Sequence, residues 1–202
     1  VKKFSIIGCP GCYPTSVLLP LVPLIKTQSI STKNIIIDSK SGYSGAGRGI
    51  HKKNKNKNLH ESLSAYGVGF HRHNSEIDQE LKNYTDSKIN FTFTPHLTPM
   101  FRGILSTIYL DLNSGFSVKK VEKILKKFYK KNRFVNVLNN NTLISTNDVI
   151  NSNNCLISVC KTRYNNKIII LSAIDNLIKG GAGQAVQNMN IKFDLNNYEG
   201  LI

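Results

Sequence analysis

The chain has 202 residues, and 40% of them are hydrophobic, so it is long enough for one domain with a buried core. Its 27 lysines and arginines against 12 aspartates and glutamates give a formal net charge of +15, which at first favours a polyanionic partner. Pro20 and Pro23 break the longest apolar run before it reaches the roughly 18 residues of a membrane-spanning helix. Four cysteines are too few for a disulfide scaffold. We therefore expect a cytoplasmic protein with no membrane partner.

The positive charge is spread along the chain, together with many asparagines and isoleucines, as drift toward AT-rich codons would produce. The densest basic run is at residues 51–58, and it contains no aromatic side chain on which bases could stack. We interpret this run as a solvated loop and expect no nucleic-acid partner. A basic module that binds nucleic acid is kept as an alternative.

The N-terminal part predicts two strands around a helix. The elements in order are a buried strand at Phe4–Gly8, a turn at Cys9–Cys12, a helix capped by Thr15 or Ser16 and running to about Ile25, and a strand at Asn34–Asp38. The continuous isoleucine run in the second strand predicts burial on both faces. The two prolines inside the helix predict a kinked or short helix.

Further strands and two helices follow. They are strands at Ile89–Thr94 and Ile104–Leu112 around a proline-rich loop, a helix capped by Ser117, a strand at Phe134–Leu138, a hairpin of Leu156–Thr162 and Lys167–Ala173, and a helix capped by Asp175 or Asn176 and running to about Asn190. Apolar residues at steps of three and four define the helix after Ser117. Helices interleaved with strands in this way predict an α/β or α+β domain around a mixed sheet.

The pair Cys9 and Cys12 is open to several interpretations. Two cysteines separated by two residues before a helix suit thiol–disulfide exchange, or half of a zinc site, or plain burial. The other half of a zinc site would need Cys155 and Cys160, but an odd spacing in a strand puts them on opposite faces, so we expect no metal. A further alternative uses Cys12 alone as a thiolate nucleophile, since it lies nearest the helix start.

A cysteine nucleophile needs a proton donor and acceptor, and His71-Arg72-His73 is the obvious source. In an extended segment the two histidines would point the same way. Glu76, three residues further on, could orient one of the rings. A surface pair of histidines is the alternative.

The segment Ser41–Arg48 carries three glycines, which let backbone N–H groups approach an anion, and Arg48 adds a forked donor. The spacing is not that of a P-loop, so the segment indicates an anion contact without defining it. Arg102 is a second candidate anion contact.

Six motifs in one order resemble a single family. They are Pro10–Thr15, Ser41–Arg48, Tyr66–Ile77, Phe93–Leu97, Arg102–Ile104, and Asp175–Gly180 followed by Gln184–Gln187. The chain resembles the N-acetyl-gamma-glutamyl-phosphate reductases from about Ile6 to its last residue. An aspartate-semialdehyde-type acyl-phosphate reductase is the related alternative, and a small thiol oxidoreductase is a distant one.

The resemblance implies an oxidoreductase of arginine biosynthesis that uses NADP(H). It would reduce N-acetyl-glutamyl 5-phosphate to N-acetyl-glutamate 5-semialdehyde and phosphate through a cysteine thioester. The implied catalytic residues are Cys12 and a histidine, with His73 preferred to His71. The implied cofactor contacts are Ser44, Gly45, Ala46 and Gly47, and the candidate substrate contacts are Arg48, Arg102, Tyr66 and Glu76.

The resemblance also implies a domain plan. Because the chain begins at Val1 and lacks a glycine-rich dinucleotide-binding turn near its start, we expect the C-terminal part of a longer protein. Residues 1–11 would carry the last strand of a truncated Rossmann domain. Residues 12–173 would form a catalytic and dimerisation domain of the glyceraldehyde-3-phosphate-dehydrogenase-like C-terminal type, a mixed sheet with helices on one face. Residues 174–202 would return to the nucleotide domain. A homo-oligomer, dimer or tetramer, is expected.

Overall fold

The computed structural model describes residues 1–49 and 61–201. The basic run at residues 51–58 lies outside the described residues, as do the burial of Gly47 and the side chain of Arg48. Within the described part, seven strands form one mixed sheet, in the order β2-β3-β1-β4-β7-β6-β5. The strands are β1 Ile35–Gly42, β2 Ser64–Ala65, β3 Phe91–Thr98, β4 Ile104–Asp111, β5 Val135–Val137, β6 Cys155–Lys161 and β7 Lys167–Ile174. The predicted mixed sheet is confirmed.

Four α-helices lie in the same described part: α1 Cys12–Lys26, α2 His73–Lys82, α3 Val118–Tyr129 and α4 Gly183–Lys192. The pairs β1–β3 and β5–β6 are parallel, and the other neighbours are antiparallel. The hairpin of β6 and β7 is confirmed, with Val159 opposite Ile170. Across these described residues, none of the helices combines the length and hydropathy needed to cross a bilayer.

The sheet has one face covered by helices and one more open face. Ile35 and Ile37 of β1 are buried in one core cluster with apolar residues of α1, α2 and α3, whereas Ile36 between them is 48% exposed. The prediction that this isoleucine run is buried on both faces is therefore wrong, because the run alternates between the two faces. Tyr109 of β4 is also exposed on the open side, and a small cluster around Val149 covers part of it.

Helix α1 begins earlier than predicted. Gly11 is the N-cap residue and no side chain caps the helix, so the expected cap by Thr15 or Ser16 is wrong. Pro14 is harmless in the first turn, where backbone N–H groups have no intrahelical partner. Pro23 cannot donate to the carbonyl of Leu19, and the Tyr129 hydroxyl donates to that oxygen at 2.6 Å. The helix therefore continues through its prolines.

Two strand predictions need correction. Phe4–Gly8 forms turns and bends, with Ile6 87% exposed, because no described strand lies beside this segment to pair with its backbone. The expected loop after Thr94 belongs to β3 instead. Pro95 fits there because its backbone faces the short β2. Its carbonyl accepts from the Tyr66 N–H, and β2 needs no hydrogen bond from the backbone nitrogen of Pro95.

The C-terminal predictions are closer. The Ser117 hydroxyl accepts from the Lys120 N–H at 3.4 Å and caps α3, as predicted, although Phe128 on the predicted apolar stripe is 45% exposed. Asp175 Oδ1 accepts from the N–H groups of Leu177 and Ile178. A π-helical turn over Ile178–Ala182 follows this cap, and α4 starts after the turn.

Candidate active site

Cys12 is the first residue of α1 and is partly buried. Burial raises the pKa of its thiol; the backbone N–H groups of Tyr13 and Cys12 and the charge of Arg72 lower that pKa, and the carboxylate of Glu76 raises it. Gly180 of the π-helical turn packs directly on Cys12, since a Cβ at Gly180 would lie 2.6 Å from the Cys12 Cβ. The thiol is thus held between a helix N-terminus and a glycine that leaves no room for a side chain.

The other cysteines lie in different surroundings. Cys9 is exposed, and its Sγ accepts from Asn188 Nδ2 at 3.4 Å. Cys155 is buried beneath the helices, while Cys160 lies on the other face of β6, as the odd spacing predicted. Within residues 1–49 and 61–201, no group of three or more histidine, cysteine, aspartate or glutamate side chains is placed to hold a metal ion.

The two predicted histidines lie together, with ring centroids 4.7 Å apart. The predicted extended segment is wrong, because His71 lies in a turn and His73 is the first residue of α2. Burial, then His71, then Arg72 lower the pKa of His73 to about 4. Burial and Arg72 also lower the pKa of His71. Both rings are therefore neutral near pH 7.

A hydrogen bond defines the tautomer of His71. Its Nδ1 accepts from the backbone N–H of His73 at 3.2 Å. A neutral imidazole has one acceptor and one donor nitrogen, so the proton of neutral His71 lies on Nε2. His73 packs against the start of α1 instead, since a Cβ at Gly11 would lie 2.4 Å from His73 Nε2.

Aromatic rings surround these histidines. Tyr13 contacts both His71 and His73 edge-on, and Tyr66 and Phe93 contact His71. The Tyr66 hydroxyl donates to the Tyr13 hydroxyl at 2.9 Å. Burial raises the pKa of both tyrosines, so both hydroxyls stay protonated. The predicted Tyr66 therefore belongs to this cluster, next to the thiol-bearing helix.

The hydrogen bond of the Glu76 carboxylate goes to the backbone and not to a histidine ring. Its Oε1 accepts from the backbone N–H of Gly11 at 2.9 Å, across 65 residues of sequence. The carboxylate therefore lies at the start of α1, immediately before Cys12.

The glycine-rich segment is more ordered than an open loop. Ser41 and Gly42 end β1, and Tyr43–Gly49 form a short 3₁₀ helix. Asn176 connects this helix to the turn before β4: its Nδ2 donates to Ser44 Oγ at 3.0 Å, and its Oδ1 accepts from the Gly103 N–H at 2.6 Å. The predicted cofactor contacts Gly45 and Ala46 are exposed beside Ser44.

Arg102 has partners inside the protein. Its guanidinium lies 3.2 Å from the fully buried carboxylate of Asp175 and donates to Asn151. The same Asp175 oxygen also accepts from the Asn151 N–H at 2.8 Å. This network joins the β3–β4 turn to the segment before the π-helical turn, which gives Arg102 a structural partner in addition to its predicted role.

Several site residues had no predicted role. Gln184 donates through Nε2 to the Pro10 carbonyl at 3.0 Å and to Thr15 Oγ1 at 3.1 Å, and so connects α4 to the cysteine turn. Tyr13 and Gly180 contact the histidines and the thiol. All of these residues lie inside the motifs of the family resemblance, which is the signal that could have found them.

A cavity of about 720 Å³ borders this site. Of the two cysteines in the turn, Cys9 lines it, together with Pro10, Gln184 and Glu76. Apolar side chains of α1 and α3 also line it, among them Leu18, Leu19 and Phe128, and so do Gln79 and Glu80 of α2. The cavity therefore lies on the Cys9 side of residues 9–12 and not on the Cys12 side.

Comparisons with known proteins agree with this geometry. Residues 12–176 match the family model described as semialdehyde dehydrogenase, dimerisation domain. The chain is 48% identical over 195 residues to an N-acetyl-gamma-glutamyl-phosphate reductase of Desulforamulus reducens, a match over 96% of this chain and 56% of that protein. It is 46% identical to a probable chloroplastic N-acetyl-gamma-glutamyl-phosphate reductase of Arabidopsis thaliana, over 100% of this chain and 50% of that protein. The predicted resemblance is confirmed, and the chain spans about half the length of these relatives.

Solved structures share the fold. Aspartate semialdehyde dehydrogenase II of Vibrio cholerae, complexed with ASA, is 15% identical, with a TM-score of 0.71 over 94% of this chain and 62% of that chain. A probable aspartate-semialdehyde dehydrogenase of Pseudomonas aeruginosa is 16% identical, with a TM-score of 0.72 over 94% and 64%. At such identity the likeness shows the fold alone, and the predicted α/β fold class is confirmed.

Proposed function

Because the chain belongs to the semialdehyde dehydrogenase dimerisation-domain family, we propose that it supplies the thiol-bearing part of an N-acetyl-gamma-glutamyl-phosphate reductase. The whole protein would convert N-acetyl-glutamyl 5-phosphate into N-acetyl-glutamate 5-semialdehyde and phosphate, a step of arginine biosynthesis. One observation carries the proposal: Cys12 begins α1 between Gly11, on which the His73 ring packs, and Tyr13, whose ring contacts both His71 and His73. Relatives that are 46–48% identical to the chain carry this activity in their names.

In this mechanism Cys12 attacks the acyl carbon of the substrate as a thiolate. The sulfur–carbon bond forms, the bond from carbon to the phosphate oxygen breaks, and phosphate leaves with the electron pair. The resulting thioester divides one difficult reaction into two easier ones. Burial has the larger effect and raises the pKa of the Cys12 thiol above its ordinary value, and the N–H groups at the start of α1 partly offset it by favouring the thiolate.

NADPH would supply the hydride that reduces the thioester carbon. The exposed, small residues Gly45 and Ala46 beside the Ser44 hydroxyl fit a surface that receives a bulky cofactor without a steric clash. We assign Ser44, Gly45, Ala46 and Gly47 to this contact. After reduction, the carbon–sulfur bond breaks, the aldehyde leaves and the Cys12 thiolate returns.

The sequence favoured His73 as the proton donor and acceptor, and the geometry favours His71. Neutral His71 carries its proton on Nε2, free to donate to an oxygen that gains negative charge, because its Nδ1 is occupied by the His73 N–H. His73 is more buried, and its low pKa makes it a weak base. We therefore propose that His71 donates its Nε2 proton to the substrate oxygen and takes it back as the carbon–sulfur bond breaks, and that His73 holds His71 and packs on Gly11.

The cavity on the Cys9 side offers a place for a nucleotide-binding domain. It is lined by residues 8–10 and by Gln184 of α4, which are the segments that the domain plan assigns to contacts with that domain. We propose that such a domain packs there and that residues 174–202 return to it. The open sheet face, with Ile36 and Tyr109 exposed, is our proposed contact with a second copy in a cytoplasmic homo-oligomer.

The test is the reverse reaction of the whole protein that carries this chain. Oxidation of N-acetyl-glutamate 5-semialdehyde, followed as NADPH formation, should require both NADP⁺ and phosphate. Aspartate semialdehyde is the control substrate, because the related alternative predicts activity with it. Turnover of aspartate semialdehyde in preference to the N-acetyl compound would contradict the proposed substrate.

A further inference from the structure

The start of α1 lacks a cap of its own. The N-cap residue Gly11 has no side chain, and the first turn contains no acidic residue. The first N–H groups of a helix have no partner within the helix, so an acceptor must come from elsewhere. Here it comes from α2, because Glu76 Oε1 accepts from the Gly11 N–H at 2.9 Å.

The first turn of α2 holds Gly11 from two directions. Glu76 accepts its N–H, and the imidazole of His73, three residues earlier on the same helix, packs where a Cβ of residue 11 would be. Gly11 O in turn accepts from the Thr15 N–H and the Thr15 hydroxyl, both at 2.9 Å. The residue that precedes Cys12 is thereby held at both its amide N–H and its carbonyl oxygen.

The charge of Glu76 works against the chemistry proposed for Cys12. A carboxylate near a thiol raises its pKa, and Arg72 acts in the opposite direction. Tyr13, Tyr66, His71 and His73 are further titratable neighbours. Burial raises the pKa of the two tyrosines and lowers the pKa of the two histidines, so all four are neutral near pH 7. Lys179, beside Gly180 in the π-helical turn, donates through Nζ to Gln187 Oε1. The benefit of Glu76 therefore lies in its hydrogen bond rather than in its charge.

We propose that Glu76 is a positioning residue: it fixes the Gly11 backbone, and through it the Cys12 thiol, instead of binding substrate. This inference rests on the proposed role of Cys12 as nucleophile. It also revises the sequence-based expectation that Glu76 contacts the substrate or a histidine ring.

Two conservative variants separate the hydrogen bond from the charge. Glu76→Gln keeps an acceptor oxygen at the same reach and removes the charge. Glu76→Asp keeps the charge and withdraws the acceptor by one methylene group. Glu80→Gln is the matched control, since Glu80 lies one turn further along α2 and accepts from the Tyr84 hydroxyl instead.

The readouts are amide hydrogen exchange at Gly11 and the pH dependence of Cys12 alkylation by iodoacetamide, with adducts located by mass spectrometry. We expect the Gly11 amide to exchange at least about ten-fold faster in Glu76→Asp and within about two-fold of wild type in the Gln variant. The thiol pKa should fall in Glu76→Gln. Glu80→Gln should change neither readout.

The proposal is overturned if Glu76→Asp protects the Gly11 amide as well as wild type does, or if Glu76→Gln exposes it as much as Glu76→Asp. Neither readout uses substrate or cofactor. A protein in which Cys12 proved not to be the nucleophile would fail the activity test and still give the predicted exchange pattern, so the two failures can be told apart.

Discussion

Cys9 and Cys12 begin and end the same short turn, yet they lie in opposite surroundings. Cys9 is exposed and contacts an amide of α4, whereas Cys12 is partly buried at a helix N-terminus against Gly180. The spacing alone would have fitted a dithiol pair. Helix α1 begins three residues after Cys9, so Cys12 and not Cys9 has the backbone N–H donors of the helix start. The position of the helix start therefore decides which of the two sulfurs is suited to act as a nucleophile.

The largest expected effect concerns the two sulfurs themselves. Cys12→Ser should lower turnover of the semialdehyde by roughly 10³-fold or more, because the thioester cannot form. Cys9→Ser should stay within about two-fold of wild type, and steady-state NADPH formation measures both variants. Equal losses from the two substitutions would replace the single nucleophile by a dithiol mechanism.

The histidines should differ in the same manner. His71→Asn removes the Nε2 proton donor and should cost about 10²–10³-fold in kcat. His73→Asn should lower kcat by a smaller factor, because His73 positions His71 and does not itself donate the proton. A pH–rate profile of both variants is the measurement, and a larger loss from His73→Asn would return the acid–base role to that residue.

A methyl group on either side of the turn provides a steric comparison. Gly180→Ala places a Cβ 2.6 Å from the Cys12 Cβ, so Cys12 must shift, and we expect about 10²-fold lower turnover. Gly8→Ala, on the Cys9 side, meets no atom within 4 Å and is the matched control. Full activity of Gly180→Ala, measured on folded protein, would show that the thiol position tolerates displacement.

The smallest expected effect is a pH dependence of the free energy of unfolding that is caused by His73, which packs beside Cys12 on Gly11. The pKa of His73 is lowered from its usual 6.5 to about 4 in the folded state. The unfolded state therefore binds more protons than the folded state between pH 6.5 and pH 4. The contribution of His73 to the free energy of unfolding is complete above pH 6.5 and is lost as the pH falls toward 4. Urea unfolding at pH 7 and pH 4.5 should show His73 contributing roughly 2 kcal/mol to the difference. His73→Gln should lose this part of the pH dependence.

The parts of the fold that the sequence predicted best are those with local signals. The cap at Ser117 and the β6–β7 hairpin need only nearby residues, and both are present. Phe4–Gly8 has the composition of a strand, but a strand needs a neighbour for its backbone, and composition does not supply one. Pro95 led to the prediction of a loop, because its position beside the short β2 depends on tertiary structure that the local sequence does not show.

The candidate site divides in the same way. Residue type and motif order identified Cys12 and the two histidines, since their chemistry is specific. The roles of Gly180 and Glu76 depend on contacts with residues more than 60 positions away, which no local pattern reveals. The choice between His71 and His73 likewise depends on one backbone hydrogen bond between them.

The most direct test of the account is to trap the first half of the reaction. The whole protein, without nicotinamide cofactor, is mixed with N-acetyl-glutamyl phosphate and quenched in acid, and the released phosphate and the labelled cysteine are determined. We predict one burst of phosphate and an N-acetyl-glutamyl thioester located on Cys12. An adduct on Cys9, or phosphate release without any cysteine adduct, would contradict the assignment of Cys12 as the nucleophile.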